Sequence, residues 1–252
     1  MVLDELCIVM INYVVVNKVL VIRLFVLDDV VNKSTCIIRN VSFVFAMSCI
    51  LQHPFTSVVA GPTGSGKSQF VLCLIDNVSE MIEPPPTRIW YCYGEYQPTF
   101  NNYSNVHFHE GLPESSDVVF DGTEATLLVL DDLMFETNQL VANTFTKLSH
   151  HRNVSVIHLT QNLFDKNKYT RTISLNAHYL VLFKNPRDVT QFATLARQMY
   201  PNSSKFAIEA YRDATSVPFG YLLVDLKPDQ DERCRLRTNI FPGERQYAYV
   251  KR

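Results

Sequence analysis

The octapeptide Gly61-Pro62-Thr63-Gly64-Ser65-Gly66-Lys67-Ser68 constrains this 252-residue chain more than any other stretch. It follows the short apolar run Thr56-Ser57-Val58-Val59-Ala60 and precedes Gln69-Phe70-Val71-Leu72-Cys73-Leu74-Ile75, so it reads as strand, glycine loop and helix. That is the context a phosphate-binding P-loop requires. Glycines at 61, 64 and 66 let backbone N–H groups approach phosphate oxygens, and the helix that follows turns its positive end toward the same anion. Lys67 is placed to reach β- and γ-phosphates, and Ser68 to offer its hydroxyl to Mg2+. All eight residues are therefore expected to cradle a nucleotide. By average residue usage, chance produces such a match in about one chain in a hundred of this length, and the flanking strand and helix lower that further.

A second element follows in Thr126-Leu127-Leu128-Val129-Leu130-Asp131-Asp132, an apolar strand closed by two acids. Buried beside a P-loop, such a strand presents Asp131 where it holds magnesium through water, with Ser68 as the other metal-side oxygen. Asp132 is then free to orient and activate an attacking water as general base. The alternative is that the two acids cap the next turn or helix. Residues 139–150 predict a helix, with Leu140, Val141, Phe145 and Leu148 at core spacing. Val154-Ser155-Val156-Ile157-His158-Leu159-Thr160 is a strand tipped by Gln161, an amide placed to sense the γ-phosphate or the lytic water.

The order of these parts separates one class of P-loop protein from others. A strand over residues 88–93 intervenes in the chain between P-loop and acidic strand, as in P-loop ATPases with an added strand and a catalytic acid after the magnesium ligand. The expected fold is α/β, a RecA-like three-layer sandwich with a mostly parallel central sheet. No guanine-binding N-K-x-D follows a strand, since Asn167-Lys168-Tyr169-Thr170 lacks the Asp, and no L-S-G-G-Q stretch is present. ATP with Mg2+ is the expected ligand.

Composition narrows the setting. With 47% hydrophobic and 19% charged residues and a formal net charge of -2, the chain has no general basic coat for nucleic acid, so any such contact must come from local patches or loops. Its six cysteines include no C-x-x-C pair, which predicts a reduced, intracellular, non-secreted protein with neither zinc site nor disulfide framework. His107 and His109 share a strand face, yet no third ligand lies near, so a solvated pair is expected.

Residues 1–46 differ from the rest. Their Val, Ile and Leu runs are broken by Asn12, Asn17, Lys18 and Arg23 before they reach the length of a membrane helix, and Asp4 and Glu5 spoil a signal-peptide n-region. Extra strands on the core, a weakly specified extension, or sequence upstream of the natural start all fit. The last is favoured, with residues 47–252 as the P-loop ATPase domain and no membrane partner. Downstream, Glu83-Pro84-Pro85-Pro86 predicts a loop. A strand at 176–183, helices at 189–199 and 204–211, and a strand at 221–226 are expected to complete the core. The basic balance beyond residue 226 reads as a solvated face, and Lys166, Lys168 and Arg171 as loop cations.

The P-loop, the Asp131-Asp132 pair, and Arg152 followed by the strand to Gln161 together resemble the FtsK/HerA superfamily of DNA-pumping ATPases. Four blocks bring the resemblance closer to the DNA-packaging ATPases of poxvirus-like viruses and of Maverick/Polinton and adintovirus elements. They are His53-Pro54-Phe55, Tyr93-Gly94-Glu95-Tyr96-Gln97-Pro98, His150-His151-Arg152-Asn153 with Leu159-Thr160-Gln161-Asn162-Leu163-Phe164, and Leu175-Asn176-Ala177-His178-Tyr179 with Lys184-Asn185-Pro186-Arg187. The end, from Gly220-Tyr221-Leu222-Leu223-Val224-Asp225-Leu226 to Leu236-Arg237-Thr238-Asn239-Ile240-Phe241-Pro242, fits as well, so the likeness covers residues 52–244. It implies a homo-oligomeric ring, typically a hexamer, that threads double-stranded DNA into a viral capsid at the virion assembly site, nucleus or cytoplasmic factory, with capsid proteins as partners. It also implies a trans-acting arginine, for which Arg152 matches best; a helix-terminal cation is the alternative role. An ATP-binding switch or assembly module with little turnover, and a helicase of another P-loop lineage, share the same ATP motif.

Overall fold

Runs of β-branched and aromatic residues alternate with helical segments along the chain, and the backbone follows that alternation. The computed structural model describes residues 10–16, 19–25, 42–44, 50–113, 120–133, 145, 152–164 and 168–251. Its elements are β1 (Met10–Val16), β2 (Val19–Phe25), β3 (Ser42–Val44), β4 (Leu51–Gln52), β5 (Thr56–Ala60), α1 (Lys67–Asp76), α2 (Val78–Met81), β6 (Ile82–Glu83), β7 (Arg88–Tyr93), β8 (His107–Glu110), β9 (Thr126–Asp131) and β10 (Val154–Thr160). They continue with α3 (Lys168–Leu175), β11 (Tyr179–Phe183), α4 (Thr190–Met199), α5 (Ser204–Ala214), β12 (Tyr221–Asp225), β13 (Leu236–Thr238) and β14 (Tyr247–Val250).

Ten strands form one sheet in the order β3-β14-β13-β12-β11-β5-β10-β9-β7-β8. From β11 to β8 the neighbours are parallel, and from β11 to β3 they are antiparallel. The parallel strands β5, β9 and β11 are buried along their whole length, as sheets covered on both faces must be. Period-two alternation sorts their side chains. Val58, Leu128, Leu130, Val156 and Leu182 meet Phe192, Leu195, Ala207 and Ala210 of α4 and α5 on one face. Val59, Val129, Ile157, Leu159 and Val181 meet Phe70, Val71, Leu74 and Ile75 of α1 on the other. The result is the expected three-layer α/β arrangement with a mostly parallel sheet.

Several boundaries move for local reasons. The P-loop helix pauses at Asn77, whose side-chain amide donates to the Cys73 carbonyl at 2.8 Å and competes with the helix ladder. Lys168 and Arg171, expected in a loop, belong to α3. Strand β11 starts at Tyr179 rather than 176, because Asn176 donates back to the Thr172 carbonyl at 2.7 Å and closes α3.

The segment after residue 226 is the main correction. Instead of forming only a solvated charged face, it contributes β13 and β14 to the sheet, and Arg237 is buried against Asp225 at 2.9 Å. Arg233 and Arg235 pair with Asp231 and Glu232 beside it. In the N-terminal region β1 and β2 pair antiparallel, and β3 pairs with β14. The helix expected at residues 139–150 lies outside the described residues except for Phe145, which is buried. Among the described residues no helix is long and apolar enough to cross a membrane.

Candidate active site

Because β5, β10 and β9 run parallel and in register, their C-terminal ends meet at one edge of the sheet. The P-loop leaves β5 there, Gln161 leaves β10, and Asp131 closes β9. In space, then, the strand between P-loop and acidic strand is β10, while β7 lies on the far side of β9. A cleft of about 370 Å³ opens at this edge, lined by Thr63, Gly64, Gly66, Lys67, Ser68, Asp131, Asp132 and Gln161 together with Glu95, Gln97 and Phe219.

Sterics explain the loop's sequence. A Cβ on Gly61 would stand 2.6 Å from Ser65 Oγ and 2.7 Å from Phe183 Cβ, so the turn out of β5 has no room for a side chain. Gly66, the residue before α1, has φ 102°, a left-handed conformation that costs glycine little. The Gly61 N–H donates to the Thr160 carbonyl at 3.1 Å, tying the loop to β10. Ser65 Oγ is buried with no hydrogen-bond partner, a free donor inside the loop of the kind a phosphate oxygen would satisfy.

The polar groups converge from three elements. Lys67 Nζ donates to the carbonyls of Gly61 at 2.8 Å and Pro62 at 3.1 Å, and burial lowers its pKa against the opposing fields of Asp131 and Asp132. Ser68 Oγ donates to Asp131 Oδ2 at 2.9 Å. Tyr91, from β7, donates its hydroxyl to the same oxygen at 2.6 Å. Burial pushes the Asp131 carboxyl up, offset by these two donors. Tyr91 itself is raised, first by burial and then by the Asp131 charge, so it stays a phenol and a donor.

Asp132 differs from its neighbour in both backbone and exposure. It is exposed and adopts φ 54°. Gly94 makes that turn possible: its N–H donates to the Asp131 carbonyl at 3.0 Å, and a Cβ there would meet the Asp132 carbonyl at 2.7 Å.

Magnesium can be tested against these residues. A serine hydroxyl and a carboxylate within hydrogen-bond distance form a hard-oxygen pair of the kind Mg2+ shares with phosphates and water. The residues fit the ion. His107 and His109 do not form a centre: both flank Trp90, at ring distances of 3.9 and 6.1 Å, and no metal-binding group of three or more His, Cys, Asp or Glu occurs among the described residues.

Arg152 is the one predicted site residue that stands apart. It precedes β10, at the opposite edge of the sheet from Gln161, and its guanidinium donates to the Phe120 carbonyl at 3.3 Å. A seven-residue strand spans roughly 20 Å, beyond the reach of an arginine side chain. Tyr91, Glu95, Gln97 and Phe219 belong to none of the sequence motifs that mark the site. The signal for the first three was their place in or just after β7, the strand beside β9.

No family model matches the chain, and no curated protein sequence matches it. Among solved structures it is similar to the genome packaging NTPase B204 from Sulfolobus turreted icosahedral virus 2 in complex with AMPPCP, at 12% identity and a TM-score of 0.47, over 69% of this chain and 93% of that one. It is also similar to the cytoplasmic domain of the type VII secretion ATPase EccC from Thermomonospora curvata, at 14% identity and a TM-score of 0.44, over 78% of this chain and 25% of EccC. The P4 protein from bacteriophage phi13 matches at 15% identity and a TM-score of 0.33, over 51% of each chain.

Proposed function

We propose that the chain is an ATP-hydrolysing motor that moves double-stranded DNA, filling a viral capsid, and works as a homo-oligomeric ring. The observation that carries the ATPase reading is the convergence of Lys67, the Ser68–Asp131 pair, Asp132 and Gln161 on one cleft. A protein that only holds nucleotide has no need of the second acid.

In this reading the loop's N–H groups and Lys67 bind the β- and γ-phosphates, Lys67 giving up the Gly61 and Pro62 carbonyls to do so. Mg2+, held by Ser68 and Asp131, supplies neutralising charge at the phosphates. Tyr91 holds the Asp131 carboxylate in place. Gln161 orients a water, and Asp132 takes its proton as the oxygen attacks the γ-phosphorus and the bond to the β–γ bridging oxygen breaks, leaving ADP and phosphate. Asp132 suits that role because it is exposed to the cleft and free of the two hydroxyls that bind Asp131.

The ring and the DNA rest on the resemblance of the sequence blocks to those of packaging ATPases. Arg152 lies out of reach of its own subunit's cleft, so a role for it at a nucleotide requires a neighbouring subunit; the alternative is a structural cation, as its bond to the Phe120 carbonyl fits. An arginine supplied by a neighbouring subunit raises turnover by about 10³ to 10⁵.

The test is ATP hydrolysis by the full chain with and without long double-stranded DNA, for wild type, Asp132→Asn, Arg152→Ala, and a mixture of the two variants. DNA-stimulated turnover that is lost in each variant and partly restored in the mixture is the expected result. Tight ATP binding without turnover under any DNA condition would leave nucleotide as a switch or assembly ligand, and strand separation in place of translocation would make the chain a helicase.

A further inference from the structure

The strand order fixes the direction in which a nucleotide lies. Asp131, Asp132 and Gln161 stand on the β10–β9 side of the P-loop, so the γ-phosphate belongs on that side. The nucleoside then leaves the loop the other way, toward β11 and β12. On that side the turn entering β12 carries Phe219, which lines the same cleft and is 69% exposed.

Phe219 is unusual in two independent respects. Its backbone has φ 60°, a region that bulky residues rarely occupy. Its ring lies directly over the loop, with Cδ1 only 3.1 Å from where a Cβ on Gly66 would stand. The turn is held by Gly220, whose N–H donates to the Val217 carbonyl at 3.1 Å and where a Cβ would meet the Ala214 carbonyl at 2.5 Å. Beneath the loop, Phe70 packs edge-to-face on both Phe183 and Tyr221, which meet each other at a tilt. An exposed aromatic ring in a strained conformation contributes little to the core. Such residues persist where the surroundings over-determine them, and they cluster at ligand clamps.

We propose that Phe219 is the wall on which the base of a bound purine nucleoside triphosphate stacks. This rests on the reading of the cleft as a nucleotide site and adds the recognition of the base to it. Stacking uses the π-face that every base has, so the ring selects by area; ATP and GTP gain more from it than CTP or UTP.

Calorimetric titration of the full chain with ATP, ADP and inorganic tripolyphosphate tests the assignment, using wild type, Phe219→Ala, Phe219→Trp and Lys67→Ala. We expect Phe219→Ala to weaken ATP and ADP by about tenfold or more while tripolyphosphate binding stays within about twofold. Phe219→Trp retains affinity, and its fluorescence, corrected for Trp90, is quenched by ATP and not by tripolyphosphate. Unchanged ATP affinity in Phe219→Ala overturns the proposal while leaving the P-loop reading intact, as does an equal loss for tripolyphosphate, which would mark the residue as a support of the loop. A wild-type chain that binds neither ATP nor tripolyphosphate overturns both readings.

Discussion

Two strands of the sheet end on nearly the same letters. β9 closes with Leu127-Leu128-Val129-Leu130-Asp131 and β12 with Leu222-Leu223-Val224-Asp225, and both aspartates are buried, at 5% and 3% exposure. Burial pushes both carboxyls up. Their surroundings then diverge. β12 runs antiparallel to β11, which places Asp225 opposite Tyr179 at the edge away from the cleft, and there Arg237 meets it at 2.9 Å. β9 runs parallel to β10 and delivers Asp131 to the cleft, where two hydroxyls bind it and Lys67 spends its hydrogen bonds on loop carbonyls. One buried charge is balanced by a residue of the chain itself. The other has the Lys67 ammonium nearby and, in the function proposed above, the Mg2+ bound with the nucleotide.

The largest effect should come from breaking the balanced pair. Arg237→Met leaves Asp225 buried without its countercharge and is expected to destabilise the fold by about 3–5 kcal/mol in denaturant titration. Adding Asp225→Leu should restore most of that loss. A single-variant loss under about 1 kcal/mol would mean that Arg237 is not what balances Asp225.

Acid sensitivity sharpens the contrast, because it arises from neither aspartate. His158, fully buried in β10 with Nδ1 unpartnered, is held neutral by desolvation, its pKa lowered to about 4. Burial lowers His53 as well. Between the ordinary histidine value and about 4 the unfolded chain binds more protons than the folded one, so stability falls as pH drops through that window. For His158 the loss is about 3 kcal/mol in total. The raised carboxyls of Asp131 and Asp225 act in the opposite sense, favouring the folded state as they protonate. His158→Leu should therefore flatten the acid limb of a stability–pH curve, and an unchanged limb would assign it elsewhere.

Asp131→Asn separates the two sites by function. With no ion pair to a buried arginine, unlike Asp225, it should leave nucleotide-free stability within about 1 kcal/mol while lowering Mg2+-dependent hydrolysis by about 100-fold or more. A stability loss as large as that of Arg237→Met would make Asp131 a structural ion like Asp225. Tyr91→Phe is the mildest change. It removes one of the two donors that hold Asp131 and should raise the Mg2+ concentration needed for half-maximal turnover by about tenfold; an unshifted Mg2+ dependence would limit Tyr91 to packing.

The same pair of strands shows what the sequence made legible. The P-loop, the apolar strand into Asp131 and the strand to Gln161 carry local chemistry at fixed spacing, and the structure gathers them at one edge. Asp225 lies in an equally apolar strand, and only strand direction, a property of the whole sheet, sends it to the other edge. Arg237 read as one of several tail cations because its partner stands twelve residues back across a turn that composition does not reveal. The ring of Tyr91 is buried in the core while its hydroxyl reaches Asp131, a dual role that only register with β9 discloses. Phe219 has no mark in the sequence, because exposure and a left-handed backbone are not properties of a letter.

In the proposed function the cleft binds Mg2+ and nucleotide together and then turns the nucleotide over. Phosphate release from ATP by the full chain, with Mg2+ and with chelator, beside Asp132→Asn at matched ATP affinity, addresses it most directly. Mg2+-dependent release by wild type and a fall of about 100-fold or more in Asp132→Asn, with ATP binding unchanged, is the expected result. Equal rates in the two proteins, or none in either despite tight ATP binding, would contradict it.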